Sequence, residues 1–274
     1  PIVGLQHGFI YRHWLNYLHE PDEMAPSPGN SADAGFPRPD LTLVHDGFAR
    51  LHLMEAGHFP PSTVVVTGSL RLETFAEAGR RLTEADRERV RASAGAKPGV
   101  KLVVLATKFS QIGGWFRPLV DAIAPMSGAH LAVKCHPMET AAPYEAVAGS
   151  AANVRVMAAG TDLGALVACA DLIVTVNSTA AIEAMALEVP GLVLAVPNNL
   201  SPFVERGALA GVERPAEIGT TLRRLLYDES ERRNLAERRR AFIERYGMVS
   251  RGGAAARAAE AILHLAESYA GRPA

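Results

Sequence analysis

The chain has 274 residues, 48% of them hydrophobic and 21% charged, and a formal net charge of −1. That length and mixture suit two compact globular domains, and the near-neutral balance removes the basic field that bulk nucleic-acid binding needs, so nucleic acid is not an expected partner. The two cysteines, Cys135 and Cys169, have no C-x-x-C spacing and lie in apolar runs, which sets aside the common zinc and redox motifs and reads as two buried small hydrophobes.

Residues 1–75 read as largely irregular. A short strand at 2–5 leads into Gln6-His7-Gly8, an aromatic and histidine-rich stretch follows at 9–19, and residues 21–40 form a loop rich in Pro, Gly, Ser and Asp. Loops of that length tend to carry function. Two strand signals follow at 41–44 and 63–67, the second ending in Gly68-Ser69. Residues 73–94 are charged and alanine-rich and read as one helix. Lys97-Pro98-Gly99 then breaks the chain, which places a domain boundary here: residues 1–95 as one part, 96–274 as the other.

Beyond residue 100 the pattern alternates. Apolar strand runs at 101–106, 130–135, 154–157, 172–176 and 192–196 are separated by helical patterns at 115–124, 141–148, 163–169 and 178–187, and the chain from 215 is helical. Continuous apolar strands between helices imply a parallel sheet covered on both faces, a doubly wound α/β domain. Ligands of such sheets sit beyond the carboxyl ends of the strands. The charged run at 229–240 reads as a solvated helix face.

The residues after each strand are therefore the candidates. Lys108 follows the first strand of this domain and has the reach to meet a phosphate as a point charge, or is an ordinary surface lysine. Lys134-Cys135-His136-Pro137 puts a histidine directly after a buried strand, and Pro137 restricts the His136 backbone to extended geometry. The imidazole suits a hydrogen bond to a phosphate oxygen, and Lys134 and Pro137 are taken with it as candidate donor-binding residues; capping the next helix is the alternative. Asn177-Ser178-Thr179 begins a helix, where free N–H groups and side-chain hydroxyls attract anions, or is a plain cap. Glu183, one turn on, suits a ribose or sugar hydroxyl, or is a helix-start carboxylate. The polar loop 197–202, with Glu205 near its end, is a weaker candidate for the sugar or base. In the first part, His7 beside Gly8 suits a general base, with Asp22 and Glu23 as alternatives. His13 and His19 read as packing or surface residues. No P-loop, G-x-G-x-x-G, G-x-S-x-G or H-E-x-x-H motif occurs, and no D-x-D, so a carboxylate-held metal is not indicated.

These motifs resemble those of bacterial surface-polysaccharide transferases of GT-B type, above all CDP-glycerol glycerophosphotransferases, capsule polysaccharide transferases and bacterial sialyltransferases. Lys134-Cys135-His136-Pro137 looks like their HP motif, and Ser178-Thr179 within Asn-Ser-Thr-Ala-Ala-Ile-Glu-Ala looks like their S/T motif. Gln6-His7-Gly8 is similar to the His-Gly of the glycerophosphotransferases. Residues 66–71 resemble a Gly-x-Pro-Arg segment, with Leu70 in place of the proline, and the family's late Asp-Gly reads Arg251-Gly252-Gly253 here. The resemblance implies a GT-B-like α/β fold: a doubly wound, nucleotide-sugar-binding domain at 96–274, and a partial Rossmann-like, acceptor-side domain with linker at 1–95. It also implies that His136, Ser178 and Thr179 hold the donor phosphate and that His7 is the base.

The expected activity is transfer of a sugar, or a glycerophosphate-like group, from a CMP-, CDP- or UDP-activated donor to a saccharide or lipid-linked acceptor. The donor is a substrate; no cofactor and no metal are expected. A UDP-sugar 2-epimerase and a non-catalytic nucleotide-binding module are the alternatives. No run is long and apolar enough to span a bilayer and no leader is visible. The expectation is a cytoplasmic protein, with peripheral association at the inner membrane face as the variant.

Overall fold

The computed structural model describes residues 1–10, 17–25, 35–108, 112–248 and 252–270. The chain divides into two compact units, Pro1–Glu73 with Ile243–Ala274, and Thr74–Phe242. This differs from a boundary at residue 95. The reason is visible in the helix before the break: Arg87 donates to the Ala168 carbonyl at 2.5 Å and Arg91 to that of Cys169 at 2.7 Å, which joins residues 84–93 to the second unit. Lys97-Pro98-Gly99 is only the turn into the next strand.

The first unit holds a parallel sheet of β1 (Val3–Leu5), β2 (Leu41–Val44) and β3 (Val64–Val66), in that order. Val3 pairs with Leu41 and Thr42 with Val64. All four residues of the central strand are buried. Among the described residues five helices belong here in whole or part: α1 (Pro21–Met24), α2 (Gly47–Glu55), the start of α3 (Leu70–Arg81), the last turn of α11 (Glu229–Tyr246) and α12 (Ala254–Ala270). The sequence pattern missed α2. Its start is set by Asp46, whose carboxylate accepts the Ala49 amide at 2.8 Å, an N-cap arrangement. Ala49 and Leu53, one turn apart, then pack with Val44, Phe59 and Val64.

The second unit is built on six parallel strands, β4 (Lys101–Ala106), β5 (Ala129–Lys134), β6 (Val154–Val156), β7 (Leu172–Thr175), β8 (Gly191–Val193) and β9 (Ala210–Gly211), in the order β6-β5-β4-β7-β8-β9. Around them lie α4 (Glu84–Ser93), α5 (Gly113–Ile123), α6 (Ala142–Ala148), α7 (Leu163–Ala168), α8 (Ala180–Ala186), α9 (Ser201–Glu205), α10 (Ile218–Tyr227) and α11 (Glu229–Tyr246), whose last turn enters the first unit. Side chains alternate across a strand, and β4 feeds two cores accordingly. Val103 and Leu105 face Phe116, Leu119 and Leu131; Leu102 and Val104 face Ala132 and Leu166. The doubly wound parallel arrangement is thus present. The chain runs outward from β4 to β6, then returns to the other side of β4 as β7. That reversal lies at the carboxyl ends of β4 and β7, the place where ligands of such sheets bind.

Two local features depart from the sequence pattern. Residues 73–94 are two helices, broken at Thr83, which accepts the Asp86 amide at 3.2 Å while Asp86 accepts the Thr83 amide at 3.0 Å; this reciprocal box starts a new helix. The edge strand β9 is too short to leave a pattern, and it needs a small residue: a Cβ on Gly211 would lie 2.6 Å from Val204 and 2.9 Å from Val196.

Candidate functional site

β4 and β5 end side by side. The Thr107 amide donates to the Lys134 carbonyl at 3.1 Å, carrying the ladder one residue past β4. The chain then turns over residues 136–139: the Glu139 amide donates to the His136 carbonyl at 2.9 Å, with Pro137 in the second position, where its fixed φ suits a turn. The His136 amide donates to Thr107 Oγ1 at 2.8 Å and to Glu139 Oε2 at 3.0 Å. The Met138 amide donates to Nδ1 of the His136 ring at 3.1 Å. An amide can only donate, so Nδ1 accepts, and in the neutral ring the hydrogen sits on Nε2. Among the described residues Nε2 has no partner.

Glu139 is the hub of this turn. Besides the His136 amide, its Oε2 accepts the Thr107 hydroxyl, and its Oε1 accepts the Tyr144 hydroxyl at 2.6 Å. Burial, then the bond to Glu139, pushes the Tyr144 phenol well above its usual range. Its ring meets Phe116 edge to face, 5.1 Å between centroids. Beside the network lies a cavity of about 490 Å³ walled by Ile112, Phe116, Met138, Glu139, Tyr144 and Val147.

β7, the neighbour of β4 on its other side, is tied to it by the Thr175 hydroxyl, which donates to the Ala106 carbonyl at 3.3 Å. Asn177 and Ser178 follow, partly exposed, and Thr179 is exposed at the start of α8. The cap residue is Thr179 rather than Asn177 or Ser178, and its side chain makes no cap hydrogen bond. Ser178 Oγ accepts the Ala180 amide at 3.2 Å. Glu183 lies within α8, all of whose residues are buried. The loop after β8 is organised by Asn198, whose amide nitrogen donates to the Val176 and Leu194 carbonyls at 2.8 Å each; this links the loops following β7 and β8.

His136, Ser178–Thr179 and Lys108 therefore follow three adjacent strands, β5, β7 and β4. Lys108 is partly exposed at its strand end and Pro137 is exposed. Lys134 is placed otherwise than the phosphate reading expects. It is buried, and its ammonium donates to the Ala159 carbonyl at 2.9 Å and the Cys135 carbonyl at 3.2 Å. Cys135 and Cys169 are buried free thiols, both pushed up by burial. Sequence reasoning missed Thr107, Glu139 and Tyr144. Thr107 stood beside Lys108, and Glu139 sits three residues after His136, the spacing of a turn.

In the first unit, His7 follows β1 and is exposed. Its neighbour Gln6 is clamped: Oε1 accepts the His45 amide at 2.7 Å, the carbonyl bonds His45 Nε2 at 2.7 Å, and Nε2 donates to the Gly8 carbonyl at 2.8 Å. Burial holds the His45 imidazole below its usual range. His45 directly follows β2, so inspection of every strand end would have found it. Asp22 is exposed. Glu23 accepts the Glu20 amide at 2.9 Å. The ring of His19 packs on Phe36 with centroids 4.0 Å apart, as a packing residue should. His13 and Arg251 lie outside the described residues.

The chain matches no protein-family model and no curated protein. Solved structures do match in fold. A UDP-GlcNAc 2-epimerase from Neisseria meningitidis bound to UDP-GlcNAc superposes with a TM-score of 0.59 at 14% identity, over 75% of this chain and 61% of that one. The wall teichoic acid polymerase TagF with CDPG gives 0.58 at 12% identity, over 78% and 53%. WaaG, a glycosyltransferase involved in lipopolysaccharide biosynthesis, gives 0.50 at 19% identity, over 76% and 60%. The chain thus spans little more than half the length of these structures. The neighbours are GT-B-type enzymes, and the two parallel sheets here fit a two-domain Rossmann-like arrangement. Among the described residues no helix is long and apolar enough to cross a membrane.

Proposed function

We propose that the chain belongs to an enzyme acting on a nucleotide-activated sugar or polyol, and that the second unit holds the donor's phosphate at the ends of β4, β5 and β7. The observation that carries this is His136: its Nδ1 is taken by the Met138 amide at 3.1 Å, which leaves Nε2–H as a donor at the carboxyl edge of the sheet. Ser178, Thr179 and Lys108 supply further donors at the crossover point, where ligands of such sheets lie. Asn177 and Glu183 would then border the sugar or ribose.

The reading we favour is transfer. With a sugar donor, an acceptor hydroxyl attacks the anomeric carbon, the bond from that carbon to the phosphate oxygen breaks, and the nucleotide leaves with the electron pair. With a glycerophosphate-type donor, the hydroxyl attacks the outer phosphorus and the nucleoside monophosphate leaves with the electron pair. Fixed N–H and O–H donors stabilise that charge, and a base, for which His7 is the candidate, takes the hydroxyl proton. The acceptor would be a saccharide or a lipid-linked chain, with work at the inner membrane face. The presence of TagF and WaaG among the structural neighbours supports transfer; the 2-epimerase neighbour supports a second reading, inversion of a UDP-sugar at its second carbon. Calorimetry with CMP, CDP and UDP on the wild type and His136→Ala tests the phosphate site, and unchanged affinity in the variant defeats it. Incubation with CMP-, CDP- and UDP-sugars then separates the readings: free nucleotide with a lengthened acceptor means transfer, an epimerised UDP-sugar means the second reading, and neither means a binding module.

A further inference from the structure

As a neutral ring, His136 donates to a phosphate only from the nitrogen that carries hydrogen, so its tautomer and orientation must be set. The Met138 amide sets them, by donating to Nδ1. Met138 is 77% exposed, so nothing packed around its side chain holds that amide in place. What holds it is the next residue. Glu139 closes the turn through its amide to the His136 carbonyl, and its carboxylate is fixed from three directions. Thr107, at the end of β4, donates its hydroxyl. Tyr144, in α6, donates its phenol at 2.6 Å. The His136 amide donates at 3.0 Å. Oε2 thereby fills both of its acceptor sites and Oε1 one of two. A carboxylate is the one side chain of this length that accepts from all three donors at once; glutamine would turn an N–H₂ toward one of them.

We infer that Glu139 is the positioning residue of the phosphate site: by binding β4, α6 and the His136 amide together it aims the Met138 amide at Nδ1 and so presents His136 as an Nε2–H donor. Glu139 itself touches no substrate in this scheme. The inference deepens the phosphate-site reading above and rests on it for its functional half.

Two measurements keep the halves apart. Nitrogen NMR of labelled histidine reports which ring nitrogen of His136 carries hydrogen, without any ligand. Calorimetry with inorganic pyrophosphate reports the phosphate site. In the wild type at neutral pH, the His136 signal should be that of a single tautomer with hydrogen on Nε2. Glu139→Ala should give a mixture of tautomers and weaken pyrophosphate roughly tenfold or more, the scale of one hydrogen bond to a charged group. Tyr144→Phe keeps the carboxylate and removes one of its donors. It should shift the tautomer balance in the same direction by less, which covers the case in which Glu139→Ala fails to fold. A variant that only lowered the melting temperature and left the tautomer unchanged would overturn the positioning role, even with pyrophosphate bound normally by the wild type. A tautomer shift in both variants, together with no pyrophosphate binding by the wild type, would uphold the positioning of the ring and overturn its assignment to phosphate.

Discussion

The carboxylate of Glu73 accepts the amide hydrogen of Ala254, 181 residues further along the chain, with both oxygens at 3.2 Å. Ala254 is the first residue of α12, where amides have no partner within the helix. Arg257, one turn on, donates to the Thr67 carbonyl at 2.8 Å and reaches Glu73 at 3.5 Å. Glu73→Ala should therefore cost roughly 1–3 kcal/mol, the usual loss when a buried donor is left unmatched. Glu73→Gln, which keeps one acceptor, should cost less. Urea unfolding of the two variants checks the order, and equal stability of all three proteins would contradict it.

Asp46 should make the fold less stable as pH rises through the acid range. Burial pushes its carboxyl up to about 6 from 3.8, against the pull of the Ala49 and Phe48 amides. Between those two values the folded chain holds a proton that the unfolded chain has released. Stability is highest below the lower value and declines until the folded group ionises, by about 3 kcal/mol in all. Asp46→Asn carries no such proton, so the difference in unfolding free energy between wild type and variant should change across pH 4 to 6 by about that amount. A constant difference would show that the carboxyl titrates normally.

Ser178→Ala combined with Thr179→Ala should weaken CDP or UDP binding. Each hydroxyl lost from a charged phosphate is worth roughly 1.5–3 kcal/mol. Ser178 also accepts the Ala180 amide, so a small loss of stability, within about 1 kcal/mol, should accompany it. Since the sequence has no D-x-D, nucleotide binding and turnover should survive EDTA. Calorimetry with and without chelator addresses both points, and full affinity in the double variant would exclude the hydroxyls from the site.

His7→Ala separates chemistry from structure. His7 is exposed, so its removal should leave the melting temperature nearly unchanged. If the transfer reading is right, turnover should fall about 10²–10⁴-fold while nucleotide affinity holds. Normal turnover would remove His7 from the mechanism and direct attention to His45, whose Nε2 is engaged by the Gln6 carbonyl at 2.7 Å.

The second unit was readable because its strands are long apolar runs: β4 stands at the residues expected, and β5 and β7 within one residue. The strand-end rule then led directly to His136 and to Ser178. What was not readable depends on partners remote in sequence. Glu139 looks like any surface glutamate until Thr107, 32 residues earlier, and Tyr144 are folded onto it. Lys134 looks like a phosphate ligand until the Ala159 carbonyl is seen to take its ammonium. The helix α2 was hidden because its buried residues, Ala49 and Leu53, are too few to set a period. Asp46 was its sole clear signal.

The first unit is assembled from both ends of the described chain, Pro1–Glu73 and Ile243–Ala274, while the second is one continuous stretch, Thr74–Phe242. Synthesis runs from the amino end. Every residue of the six-stranded sheet is made before the first residue of α12, so that sheet can close while β1, β2 and β3 still lack that helix. The amide that Glu73 awaits is made 181 residues later, across a loop whose closure grows more costly only slowly with length. Strands made before the six-stranded sheet are thus completed after it.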